Sequence, residues 1–177
     1  SIIGTSNSSV GLRTRRTTGG EFSADIAMAE YSAGDARLVL PRLTVMQQGG
    51  RLGFAGNMRM SGAIPGGRAD NLALPVAGDW SDRSGLTVWR NCTQVSFDGL
   101  RLSSLELSRR TLALCPPRGG AIVQSGPRGL RIAAGLSSLD VAGKLGGPQI
   151  RIASGPVGLA WLGNLDARAL DVTLGST

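Results

Sequence analysis

From Gly99 to Leu174 the chain repeats one device: apolar, polar, apolar, then a break of Gly, Ser or Pro. Leu100-Arg101-Leu102, Leu105-Glu106-Leu107, Leu112-Ala113-Leu114, Leu130-Arg131-Ile132, Ile150-Arg151-Ile152 and Leu170-Asp171-Val172-Thr173-Leu174 all follow it. Alternation with a period of two is the mark of a β-strand with one apolar and one wet face. Strands of this kind recurring about every ten residues predict an all-β sheet, barrel or solenoid. Such a sheet has to hide an apolar face from water.

The rest of the composition narrows how. Hydrophobic residues make up 41% of the 177, but aromatics only 4%, so the dry face is built from Leu, Val, Ile and Ala. The 27 glycines are spread without a collagen period and punctuate short strands. No apolar run approaches the roughly 18 residues that cross a bilayer. The chain begins at Ser1, without a signal peptide, and reads as a section of a longer protein.

Residues 1–20 read as a flexible basic entry or an edge segment, and residues 21–177 as a single all-β region. Phe22–Met28 alternates as a strand, with a short helix opened by Ser23 as the other reading, and a helix within residues 20–34 is left open. Arg37–Leu40 and Leu43–Val45 flank Pro41, which marks a bend, a bulge or an edge position because proline cannot donate to a ladder. Leu52–Phe54 and Met58–Met60 read as a hairpin around residues 55–57. Residues 62–72 read as a loop, Leu72–Leu74 as a strand stopped by Pro75, and residues 77–85 as turn-rich. Strands are then expected at 86–89, 94–98, 100–107, 111–115, 121–124, 129–133, 138–142, 149–153, 157–162 and 168–174. Ser103-Ser104, between Leu102 and Leu105, flips the dry face unless a bulge or turn restores it.

Catalytic chemistry is hard to assemble from this sequence. It has no histidine, which removes Ser-His-Asp and Cys-His mechanisms. Lys144 stands in no Ser-x-x-Lys pattern, and the Gly50, Gly53, Gly56 spacing leads into no helix. Glu106 and Asp140 fall on wet-face positions with nothing to bring them together as a glycosidase pair. Two cysteines without histidine make half a tetrahedral zinc set. No catalytic residue, metal or cofactor is therefore expected. The two readings of Cys92 and Cys115 are a disulfide between neighbouring strands or a pair of unlinked buried thiols. The disulfide implies an oxidising compartment such as a periplasm.

Net charge is +7, and Lys144 is the only lysine beside 18 arginines. A basic surface favours anionic partners. Nucleic-acid binding also asks for clustered basic residues among stacking aromatics. Here Arg13, Arg15 and Arg16 cluster away from the aromatics, so no nucleic acid is expected.

Some stretches resemble a known family. Gly34-Asp35-Ala36-Arg37, Pro41-Arg42-Leu43 and Gly50-Arg51-Leu52-Gly53-Phe54-Ala55-Gly56 are similar to a segment of YdbH-type proteins. So are Leu112-Ala113-Leu114-Cys115-Pro116 and Gly129-Leu130-Arg131-Ile132-Ala133-Ala134-Gly135. These belong to the AsmA-like group of bacterial envelope proteins, and the likeness covers roughly residues 20–175. The resemblance implies a section of a curved periplasmic β-groove in a parent protein anchored to the inner membrane. It implies a role in shielding phospholipid acyl chains between inner and outer membranes.

The fold expected is thus all-β, with many short antiparallel strands in a long, curved, one-sided sheet. The alternative is a β-sandwich whose second sheet covers the dry face. For the groove, the candidate lining residues are Leu100, Leu102, Leu105 and Leu107, then Leu112, Leu114, Leu130 and Ile132. Ile150, Ile152, Leu170, Val172 and Leu174 complete the set. For the sandwich, the function is docking a protein or anionic polymer through the arginine-rich face. In either case an open sheet edge invites a dimer.

Overall fold

The structure is a computed structural model and describes residues 10–16, 21–64, 66–127, 129–160 and 165–175. The strands are β1 Val10–Arg16, β2 Phe22–Ala33, β3 Ala36–Gln48, β4 Arg51–Ile64 and β5 Gly67–Ser81. Then come β6 Gly85–Val88, β7 Thr93–Leu102, β8 Leu105–Leu114, β9 Val123–Gly126 and β10 Gly129–Leu136. The last are β11 Leu139–Leu145, β12 Gln149–Ser154, β13 Val157–Ala160, β14 Leu165–Ala167 and β15 Asp171–Leu174. All fifteen belong to one sheet, which curls into an open half-barrel. The sandwich alternative is thereby overturned: among the described residues no second sheet covers the first.

β1 to β5 form a meander of long hairpins. The sheet forks at β5, because β5 is too long for either neighbour on its far edge. Its C-terminal part pairs with β6 through Gly78↔Val88 to Ser81↔Gly85. Its N-terminal part pairs with β7 through Gly67↔Leu102 to Ala73↔Ser96. One arm continues from β6 to β9, β10, β13 and β14, the other from β7 to β8, β11, β12 and β15.

Trp89 closes the crotch of the fork. Its backbone N–H donates to the Ala77 carbonyl (2.9 Å), and its own carbonyl accepts from the Ile122 N–H (3.0 Å). Its indole Nε1 donates to the Pro75 carbonyl (2.7 Å). These bonds satisfy carbonyls that the gap between β6 and β7 leaves exposed on the β5 edge. The Pro75 carbonyl points at the fork, so its proline nitrogen does too, and no ladder bond to β4 is lost. Just beyond the last β7–β8 pair, Thr93↔Leu114, lies the Cys92–Cys115 disulfide. Cys115 then exchanges two backbone bonds with Gly135 of β10, each 2.8 Å, which ties one arm to the other.

Several expected boundaries move. Within the leading segment residues 10–16 form the edge strand β1, the second of its two readings; residues 1–9 and 17–20 lie outside the described residues. Phe22–Met28 is strand, and no helix occurs in described residues 21–34. Residues 52–60 form one strand, residues 62–64 end β4 and residues 67–74 belong to β5, because hairpin pairing supplies the neighbours that glycine-rich sequence cannot advertise. Pro75 and residues 77–81 lie within β5, for the fork geometry just described. The run 100–107 is two strands joined by a tight turn, with Leu102 opposite Leu105 and Ser103 at φ 55°. The last strand starts at Asp171, leaving Leu170 outside the ladder; residues 161–162 of the expected 157–162 strand lie outside the described residues.

Neighbouring backbones approach closely at Gly67 and Gly143. A Cβ at Gly67 would collide with the Arg101 carbonyl oxygen, and one at Gly143 with the Glu106 carbonyl oxygen. Gly67→Val or Gly143→Val is expected to destabilise by about 1–3 kcal/mol, the range for overpacking. Gly158→Ala, with open space around it, should leave the urea midpoint nearly unchanged. Reduction of Cys92–Cys115 should cost about 3 kcal/mol in the same measurement.

Candidate functional site

Residues paired across a ladder point to the same face, so the register sorts every side chain. In β4 the even positions Leu52, Phe54, Met58, Met60 and Ile64 share one face, with Gly56 and Gly62 between them. Their partners include Leu43, Val45 and Leu38 of β3 and Leu72, Leu74, Val76 and Trp80 of β5. Through β5 this face reaches Leu86 and Val88, then Val123, Leu130 and Ile132. Along the other arm, Ala69↔Leu100 leads to Leu100↔Leu107 and Leu102↔Leu105. Leu107↔Gly143 then leads to Ile150, Val141↔Ile152, Leu174 and Val172.

Strict alternation over strands this long would carry apolar residues to the wrong side, and bulges prevent it. In β2, Ala29–Glu30 stand opposite Val39, so Met28 and Tyr31 keep one face although three apart. In β3, Leu40–Pro41 stand opposite Met58, which keeps Leu38 with Leu43. In β5, Asp70–Asn71 stand opposite Ser61, which keeps Ala69 with Leu72. Asn71 takes φ 48°, which an Asn tolerates, and its N–H donates to Ser61 Oγ (2.8 Å). β7 changes phase alongside: Asn71 Nδ2 donates to Asp98 (3.0 Å), and Ala73, a wet-face residue, pairs with Ser96. Val95 therefore joins the dry face, and with it Leu112 and Leu114, the partners of Val95 and Thr93; Phe97 pairs with Arg110 where β7 and β8 change phase together, and Arg110 reaches Asp140.

Every anticipated lining residue thus lies on one face except Leu170, which stands outside the strands and is 58% exposed. The sequence reading missed the N-terminal half of the face, from Ile26 to Val88. Its signal was present in Leu52, Phe54, Met58 and Met60, masked by Gly56 and by the bulges.

Among the described residues nothing covers this face. The accessible surface is 12180 Å², half as much again as the roughly 8,100 Å² expected of a folded chain of this mass. Among the described residues only seven hydrophobic ones are buried, and three of those are alanines. Even so, burial along β4 alternates, with dry-face positions more shielded than Arg51, Ala55, Asn57 and Arg59. In a single layer that shielding comes from neighbours on the same face, so the sheet curls toward its apolar side.

The opposite face is polar and holds several carboxylates in ion pairs. Asp140 meets Arg151 and Arg110 at 3.0 Å each, and Arg110 Nε also donates to the Asp140 carbonyl (2.6 Å), bracing β8 against β11 above the end of their ladder. Arg101 pairs with Glu106 (2.9 Å), Asp79 with Arg90 (3.0 Å), and Arg68 with Asp35. Hydrogen bonds from Arg151 hold the Asp140 carboxyl below its ordinary value, and those from Arg68 do the same for Asp35. Among the described residues no group of three acidic, cysteine or histidine side chains is arranged for a metal.

A lowered folded-state pKa stabilises above the unfolded value, and that contribution disappears as pH falls through the folded value. The melting temperature should therefore hold from pH 7 down to about pH 5 and fall below the ordinary aspartate value of 3.8. Asp140→Asn should flatten that acid limb in a pH series of thermal melts.

Compared with protein-family models, with curated proteins and with solved structures, the chain matches none.

Proposed function

We propose that this chain is a section of an envelope β-groove that shields phospholipid acyl chains crossing water between two membranes. The observation that carries this reading is one continuous, uncovered apolar face running through both arms of a single curled sheet. A soluble monomer rarely leaves more than a few hundred Å² of contiguous apolar surface open unless something occupies it. The lining is mainly Leu, Ile, Val and Met, with Phe54 and Trp80 among them, an apolar mixture that suits flexible hydrocarbon tails. Each methylene kept from water is worth about 0.8 kcal/mol, or about 12 kcal/mol for fifteen of them. A trough that is apolar along its length removes that barrier without catalysis, and it selects for the tail rather than the headgroup. The disulfide supports an oxidising compartment, and the resemblance of the sequence to AsmA-like proteins supports the periplasm of a membrane-anchored parent.

Photocrosslinking residues placed in the full-length protein in cells test this. Leu105 and Leu74 face the trough; Glu106 and Arg59 face away. Phospholipid adducts are expected at the first two and none at the second two. Leu105→Asp should abolish adducts at Leu74 and lipid transfer while leaving the protein at normal abundance. Adducts to protein at Glu106, with no lipid at any position, would instead make the chain a docking module.

A further inference from the structure

The wet face carries a concavity of its own. A cleft of about 860 Å³ opens between the edge strand β1, the β3–β4 turn and the β5–β6 turn. A second of about 640 Å³ adjoins it, and the two share Arg15 and Ser23. Arg15, Arg51 and Arg83 line the larger cleft; Arg13 and Arg42 line the smaller with Arg15. Arginines from four separate parts of the chain, which sequence order scatters, converge there.

The carboxylates nearby do not use up this charge. Asp25 accepts from Arg42 Nε and Nη2 (3.2 Å each) and from Thr44 Oγ1 (2.6 Å). Those bonds hold its carboxyl below the ordinary range, with Arg15 contributing from nearby. Glu21 accepts from Gln48 Nε2 at 2.6 Å. Arg51 approaches Asp79 only to 3.6 Å, and Asp79 is already held by Arg90 at 3.0 Å. Among the described residues, Arg13, Arg15 and Arg83 have no carboxylate within ion-pair distance. Five guanidinium groups thus face three carboxylates, Glu21, Asp25 and Asp82, across the two clefts. Guanidinium forks match tetrahedral oxyanions bidentately, and Ser23, Gln47 and Gln48 add neutral donors.

We propose that the larger arginine cleft is a phosphate-binding site, formed by Arg15, Arg51 and Arg83 at the end of the sheet. The ligand is a phosphate group, either free or a small monoester, or the phosphate of an anionic lipid headgroup at a membrane surface. The volume admits a phosphate with a small organic substituent. The proposal does not depend on the lipid reading of the groove, because Arg15 and Arg51 stand on the wet face and Arg83 in the β5–β6 turn.

The test measures binding of inorganic phosphate by calorimetry and of phosphatidylglycerol vesicles by co-sedimentation, with phosphatidylcholine vesicles as the neutral control. The double variant Arg15→Gln with Arg83→Gln should weaken binding at least tenfold. The variant Arg131→Gln with Lys144→Gln removes the same charge from elsewhere on the wet face and should change it less than twofold. Both should melt within a few degrees of the unaltered protein, so that lost binding is not lost folding. Phosphate that binds alone and displaces vesicles marks a phosphate site used by either source. Binding to phosphatidylglycerol vesicles alone, lost in the arginine pair only, marks the headgroup as the source. Equal loss in both variants would reduce the effect to net charge and overturn the site, as would an unaltered protein that binds neither probe.

Discussion

The absence of a second layer over the apolar face is the constraint from which the rest of the structure follows. A sandwich or barrel buries its dry side against another sheet; here fifteen strands share one. Cohesion must come from ladder hydrogen bonds and from dry-face side chains shielding one another. Curling toward the apolar side increases that shielding, and neighbouring backbones approach closely at Gly67 and Gly143. Removing a large area of apolar surface from water is the dominant favourable term in folding. A chain that forgoes much of it leaves a surface ready for an apolar occupant.

Keeping that surface unbroken requires phase control. Strands of twelve to fifteen residues, such as β2 to β5, twist too far to stay regular, and each bulge both bends the strand and resets its alternation. Pro41 and Asn71 sit at these points because one cannot donate to a ladder and the other tolerates a left-handed backbone. The fork at β5 is a second discontinuity, and Trp89, the disulfide and the Cys115–Gly135 pair close it. Apolar continuity thus depends on a few residues that are not themselves in the trough.

The two faces divide the chemistry. Exposed ion pairs on the wet side contribute little each, but they leave several carboxylates committed and the arginines in excess. That excess collects at the end of the sheet where β1 meets the β3–β4 and β5–β6 turns. An apolar face on one side and an arginine-lined cleft at the end of the sheet thus divide its surface into two chemistries.

Much of the C-terminal half was legible in the sequence, because short strands with clean apolar–polar–apolar triplets state their own face: Leu100 to Leu107, Leu130 and Ile132, Ile150 and Ile152. The Cys92–Cys115 link was legible only as one of two readings, since pairing depends on register. The N-terminal half was misread as short strands and loops, because Gly56, Pro75 and the bulged Asp70-Asn71 interrupt the pattern at positions that hairpin pairing makes continuous. Alternation by itself determined that this chain forms β-strands with one dry face, a consequence of local backbone geometry. Only the tertiary structure decided that no second sheet covers that face, that the strands fork at β5, and that distant arginines meet in one cleft. Those outcomes depend on which edges pair across long sequence separations, and a period of two carries no information about its partner.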